Sequence, residues 1–255
     1  MADRLAGLFR LDGRVALVTG ASAGIGARFA RVLHAAGARV VVTARRADRL
    51  AALADELPGA VALACDVTDP ASVETMVGEA IAACGRLDVL VNNAGLELAE
   101  PAETQALDDF RRVVDVNLVG LFHVTQLVGR HMIERGGGTV VNLSSILGLV
   151  SSAPIPGAAY AASKAAVVNL TRELAVQWAP KGIRVNALAP GWFPTEMTGA
   201  MFADERSMAY VRRNTPLGRP GELDELDGAL LLLASDAGTY LTGHTLVVDG
   251  GWTAR

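Results

Sequence analysis

The chain has 255 residues, 51% of them apolar, and a net charge of −4 at neutral pH. That length fits one α/β domain or two small ones, and the apolar share supports a large core and excludes disorder. An acidic balance with no Lys/Arg cluster excludes a sequence-independent grip on nucleic acid. The longest apolar run, residues 229–234, is far too short to span a bilayer.

The first segment, Arg14-Val-Ala-Leu-Val-Thr19, is a short apolar run rich in β-branched residues and predicts a buried strand. It runs into Gly20-Ala21-Ser22-Ala23-Gly24-Ile25-Gly26 and then an apolar-periodic helix over 24–36. Strand, glycine turn and helix form the context in which such a motif binds phosphate. Gly20 permits the tight turn, Gly24 a close approach to a pyrophosphate, and Gly26 close packing of helix on strand. The helix N-terminus then offers free N–H groups and partial positive charge.

Further strands are predicted over 39–43, 61–65, 87–91, 139–143, 183–187 and 245–248. Most are continuous apolar runs, as parallel strands covered on both faces require. Helical patterns fall between them, over 47–56, 70–83, 108–134, 158–178 and 222–233. The alternation predicts a single α/β domain over residues 1–255. Its core is a doubly wound parallel sheet of about seven strands with helices on both faces. Residues 191–220 carry no clear periodicity but hold Trp192, Phe193, Met197, Met201, Phe202, Met208 and Tyr210, and they predict a loop-like substrate lid.

Cys65 and Cys84 have no metal-ligand spacing and read as free thiols, and the four histidines are scattered singly, so no metal site is expected. Met1-Ala-Asp-Arg-Leu-Ala-Gly has no apolar stretch of signal-peptide type, so a cytoplasmic location without membrane contact is expected.

Tyr160-Ala-Ala-Ser-Lys164 places a phenol and an ammonium four residues apart, on one face of a predicted helix. A tyrosine near pKa ~10 is a poor proton carrier at neutrality. A neighbouring cation favours the phenolate and tunes it for proton transfer.

Taken together the motifs resemble the short-chain dehydrogenase/reductase family in its compact one-domain form. The resemblance rests on Thr19-Gly-Ala-Ser-Ala-Gly-Ile-Gly26, Asn92-Asn-Ala-Gly95, Asn117 in Asp115-Val-Asn-Leu, and Ser145 ending Val141-Asn-Leu-Ser-Ser145. Tyr160-x-x-x-Lys164, Pro190-Gly191 and Val248-Asp-Gly-Gly251 complete it, in the family's order along the whole chain. It implies a nicotinamide-dependent interconversion of carbonyl and alcohol. Tyr160 would be the general acid or base, and Ser145 would orient the substrate oxygen. Lys164 would lower the Tyr160 pKa and bind the nicotinamide ribose, and Asn117 would hold a water in a proton relay. Ser145 is preferred to Ser144 because Ile146-Leu147-Gly148 follows it.

The resemblance assigns the cofactor to Gly20, Ser22, Ala23, Gly24, Ile25, Gly26, Asp66, Val67, Asn93, Ala94, Gly95, Tyr160, Lys164, Pro190, Gly191 and Thr195. Asp66 and Val67 would flank the adenine, and Thr195 would bond the carboxamide. Ala44 stands about where an NAD-type acid would be, and Arg45 follows it, so NADP(H) is preferred and NAD(H) left open. Ser145, Leu147, Pro156, Tyr160 and Trp192 would line the substrate pocket, with Pro154 and Pro156 in a stretch longer than the commonest family spacing.

The substrate class stays open at this point. A simple ketone or alcohol, a 3-oxoacyl thioester on a carrier protein, and a sugar acid or polyol all fit, as does a non-catalytic dinucleotide sensor. The long helices predicted over 108–134 and 158–178 are apolar around much of their circumference, and with the resemblance they predict a homotetramer.

Overall fold

The computed structural model describes residues 5, 7–151, 153 and 155–255, with Ala200 described by its backbone alone. Met1 to Arg4, Ala6 and Pro154, read above, lie outside the described residues. The sheet has seven parallel strands in the order β3-β2-β1-β4-β5-β6-β7. These are β1 (Val15–Thr19), β2 (Arg39–Ala44), β3 (Val61–Ala64), β4 (Val89–Asn92), β5 (Gly138–Leu143), β6 (Ile183–Pro190) and β7 (Thr245–Val248).

Strand alternation explains the two hydrophobic layers. Ala16 and Val18 of β1, Val40 and Val42 of β2, and Val89 and Val91 of β4 point into one layer. There they meet Phe29 and Leu33 of α1 (Gly24–Ala35), Leu50 and Leu53 of α2 (Ala47–Asp55), and Leu230 and Leu233, which recur at helical spacing further along the chain. Leu17, Val41 and Leu90 point the other way, toward Met76 and Val77 of α3 (Pro70–Cys84) and toward Val128 and Leu174. Helix α3 shows clear local stop and start signals. Asp69 accepts from the Ala71 N–H at 3.1 Å, Pro70 takes the first helical position, and Gly85 at φ +73° ends it.

The predicted helix over 108–134 is broken. It divides into α4 (Leu107–Val114), a π-helical stretch over Asp115–Gly120, and α5 (Leu121–Glu134). The stretch lies against the β3–α3 connection: a Cβ at Gly120 would stand 3.0 Å from the Val67 carbonyl carbon. Next comes α6 (Ala158–Trp178). β6 runs three residues past its expected end because β7 pairs with it from Ala187 to Pro190.

Residues 191–220 are not loop-like throughout, as predicted, but contain α7 (Gly199–Ala203) and α8 (Glu205–Asn214). Asp204 caps α8 by accepting from the Ser207 N–H at 2.8 Å. The helix carries charge at both ends and buries only Val211, so its apolar period is faint. A capping box between Glu222 and Glu225 opens a 3₁₀ turn, followed by α9 (Asp227–Ala234), which carries Leu230 and Leu233.

The chain winds outward from β1 to β3, then crosses back to β4 on the other side of β1. That reversal leaves a crevice at the carboxyl ends of β1 and β4, the place where doubly wound sheets bind ligands. Among the described residues no helix is long and apolar enough to cross a membrane.

Candidate active site

The crevice opens into a cavity of about 550 Å³. One end is built by the glycine turn. Gly20 and Gly24 adopt φ +65° and +54°, in the left-handed region that only glycine enters without strain. Asn93 holds this turn against β4. Its Nδ2 donates to the Thr19 and Gly20 carbonyls at 3.0 and 3.1 Å, while Thr19 Oγ1 accepts from the Asn93 and Ala94 N–H groups at 3.0 Å. Helix α1 starts after Ala23 in extended backbone with no side-chain cap, so its N-terminal N–H groups face the cavity uncapped.

The predicted residues gather as expected with three exceptions. Ser22, Ala23, Gly24, Ile25, Arg45, Asp66, Val67, Ala94, Gly95, Pro190, Gly191 and Thr195 line the cavity beside Gly20 and Asn93. Gly26 and Asn117 are buried behind the lining rather than in it. Pro156, expected in the substrate pocket, is not on the lining. Its loop is tied toward α8, where the Tyr210 hydroxyl donates to the Ala153 carbonyl at 2.9 Å.

At the other end stand Ser145, Leu147, Tyr160, Lys164 and Trp192. The two serines differ. Ser144 Oγ donates to the Lys164 carbonyl at 2.9 Å and is spent on α6. Ser145 Oγ accepts from the Leu147 N–H at 3.1 Å and shares a hydrogen bond with the Tyr160 phenol. Lys164 is buried, donates from Nζ to the Leu143 carbonyl at 2.7 Å, and lies 5.5 Å from the Tyr160 ring centroid. Asn117 braces the floor. Its Nδ2 donates to the Leu96 carbonyl and to Ser163 Oγ, at 2.9 and 3.0 Å, and its Oδ1 accepts from the Leu96 N–H at 2.8 Å.

Burial dominates the electrostatics of this end. The Tyr160 pKa is pushed up, not down, because burial disfavours the phenolate, the Glu97 carboxylate repels it, and the Ser145 bond offsets this only in part. Burial also pulls the Lys164 ammonium down to about 8, against the support of Glu97. Asp66 is held below the usual carboxylate range, chiefly by the Thr68 N–H, with the Thr68 hydroxyl also donating to it.

Three residues escaped the sequence reading. Glu97 lines the catalytic end, two positions beyond the Asn92-Asn-Ala-Gly95 motif. Arg46 donates to Ser22 Oγ from Nε at 3.1 Å and from a terminal nitrogen at 3.0 Å. It also pairs with Glu196 at 3.0 Å, and Arg49 pairs with the same carboxylate. An acid directly after the motif glycine and its neighbour was the visible signal for Glu97. Nothing local marks Glu196, whose partners lie about 150 residues away. Among the described residues no cluster of His, Cys, Asp or Glu is placed to hold a metal, and both cysteines are free thiols.

A family model described as enoyl-(acyl carrier protein) reductase matches residues 20–253. Galactitol 2-dehydrogenase (L-tagatose-forming) of Cereibacter sphaeroides is 44% identical over 251 residues, covering 96% of this chain and 97% of its own. Gluconate 5-dehydrogenase of Gluconobacter oxydans is 41% identical over 252 residues, covering 96% and 97%. The crystal structure of a gluconate 5-dehydrogenase from Burkholderia cenocepacia in complex with NADP and tartrate superposes with a TM-score of 0.93 at 41% identity, covering 98% and 99% of the two chains. With a family match over residues 20–253, this degree of identity and the same fold, the chain is an oxidoreductase of the short-chain dehydrogenase/reductase family.

Proposed function

We infer that this enzyme uses NADP(H) to interconvert a secondary alcohol and its carbonyl on a small polyhydroxylated substrate. The observation that carries the reading is the convergence of Ser145, Tyr160 and Lys164 at one end of a cavity whose other end is a glycine turn and an uncapped helix N-terminus. The fit to a dinucleotide rests on that cradle. A Cβ at Gly20 would stand 2.7 Å from Ala94 Cα, so the turn must lie flat against β4, and the open N–H groups of α1 suit a pyrophosphate.

Gly20 through Ile25 would hold the pyrophosphate, Asp66 and Val67 the adenine, and Lys164 with Thr195 the nicotinamide end. Arg45 would take the ribose 2′-phosphate. It lines the cavity, where its charge is also felt by Asp66. When bound, the cofactor supplies or accepts the hydride.

The chain's own groups manage the oxygen and its proton. Ser145 and Tyr160 place two hydroxyls where a substrate oxygen develops negative charge during carbonyl reduction. The raised pKa keeps Tyr160 protonated at neutral pH, which is the form that donates. Alcohol oxidation needs the phenolate, and the buried Lys164 ammonium is the group that favours it. Asn117 acts through Leu96 and Ser163 and holds the floor on which Lys164 stands. Residues 191–220, with α7 and α8, would act as the lid, held in place by the edge contacts of Trp252 with Trp192 and Tyr210 at 5.4 and 5.8 Å between ring centroids.

The relatives named for galactitol and gluconate support this substrate class. A second reading, reduction of an oxoacyl thioester, is favoured by the description of the matching family model. One experiment tests both: NADPH consumption against ketoses, keto-sugar acids, simple ketones and a 3-oxoacyl thioester, with Tyr160→Phe as the blank. Turnover lost in Tyr160→Phe, with cofactor binding retained, is expected. Turnover that survives the change sinks the assignment of Tyr160.

A further inference from the structure

Among the described residues Glu97 is the one carboxylate that lines the catalytic end of the cavity, beside Ser145, Tyr160 and Lys164. It is half-buried and makes no hydrogen bond or ion pair with any described residue. Its position is not loose. Both backbone groups of the preceding Leu96 are bonded to the Asn117 side chain, at 2.8 and 2.9 Å. One residue earlier, a Cβ at Gly95 would lie 3.7 Å from Lys164 Nζ. The strand-end segment is therefore pinned along the lysine, and Glu97 follows it on the cavity lining. Its charge is felt by both Tyr160 and Lys164.

Its carboxylate has no donor among the described residues, so a substrate at this end of the cavity can supply one. An ionised carboxylate accepts hydrogen bonds and offers none. A hydroxyl beside the reacting carbon satisfies it, whereas a substrate carboxylate brings like charge and no proton. Arg112, the cation nearest in kind to a sugar-acid partner, is exposed on α4 and lines the cavity on another element.

We propose that Glu97 is a specificity-determining residue that accepts a hydrogen bond from a substrate hydroxyl, and that it selects neutral polyols and ketoses over sugar acids. This rests on the oxidoreductase reading above and narrows its substrate class. A hydrogen bond to a charged group corresponds to a ~10- to 100-fold preference.

The test measures binding separately from turnover. The Tyr160→Phe protein, loaded with NADP⁺, is titrated calorimetrically with galactitol, threitol and gluconate. The same is done with Glu97→Gln and Glu97→Asp added, after thermal unfolding shows each variant folded. The two polyols should bind at least ~10-fold more tightly than gluconate. Glu97→Gln should remove that preference by weakening the polyols, while Glu97→Asp should keep its order. Tighter binding of gluconate, equal weakening of all three probes by Glu97→Gln, or binding of none of them overturns the proposal. Tyr160-dependent turnover of a simple ketone or thioester would still uphold the oxidoreductase reading, so the two failures are distinguishable.

Discussion

Replacing Gly26 with alanine puts a methyl group between the first helix and the turn that precedes it. Its Cβ would fall inside contact distance of Asn93 Nδ2 and the Gly20 carbonyl oxygen, and 2.9 Å from the Gly20 carbonyl carbon. Carbon contacts are comfortable at about 3.5–4.0 Å, so the turn must retreat by roughly 1 Å. The retreat strains the two bonds from Asn93 Nδ2 to the Thr19 and Gly20 carbonyls. Losing both costs about 2 kcal/mol, and overpacking adds about 1–3 kcal/mol. Alanine's advantage in a helix returns about 1 kcal/mol at most. The net loss is about 2–4 kcal/mol. Gly78, exposed in α3 with nothing within 4 Å of its would-be Cβ, is the control. Alanine there should stabilise by about 0.5–1 kcal/mol. Urea midpoints report both effects, and a fluorescence titration with NADPH reports the turn, where Gly26→Ala should weaken binding and Gly78→Ala should not. If Gly26→Ala keeps the parent's midpoint and affinity, the steric argument is wrong.

Arg45→Ala should weaken NADPH by about 10-fold while leaving NADH nearly unchanged; equal losses for the two would show that Arg45 does not meet the 2′-phosphate. Lys164→Met should change the pH dependence of stability. The folded ammonium is pulled from 10.5 to about 8, so between pH 8 and 10.5 the unfolded chain holds a proton that the folded chain has released, and the parent gains stability as pH rises. The variant's stability relative to the parent should therefore fall by about 3 kcal/mol across that window. Urea titrations at several pH values check it, and a flat difference refutes it. Val119, Phe122 and Val176 are exposed apolar residues on the π-helical stretch, α5 and α6. The homotetramer expected from the sequence should sediment as such and dissociate in Val176→Glu; a monomeric parent would sink that expectation.

The strands were legible because each is a continuous apolar run, and parallel strands between two helical layers need that composition. The site was legible because its residues sit where strands end, and Gly20, Asn93, Ser145 and Gly191 are all at such ends. What was not legible depends on partners far along the chain. The break after Val114 is a matter of Asn117 meeting Leu96 and of Gly120 meeting Val67. The last three residues of β6 extend the strand because β7 pairs with them. The pKa direction of Tyr160 follows burial and Glu97, neither of which its own helix reveals. Helix α8 was missed because its charged surface masks a short apolar face, although Asp204 and Glu205 are a recognisable start.

The π-helical stretch makes chain length itself a functional parameter. A π turn holds one residue more than the α turn it replaces, and each residue rotates a helix by about 100°. Loss of a single residue between Asp115 and Gly120 would regularise the helix and swing Asn117 away from Leu96, or carry every core residue of α5 out of register. The segment can thus tolerate exchanges of side chain better than any insertion or deletion. In a set of natural variants, that asymmetry would separate this turn from an ordinary surface helix.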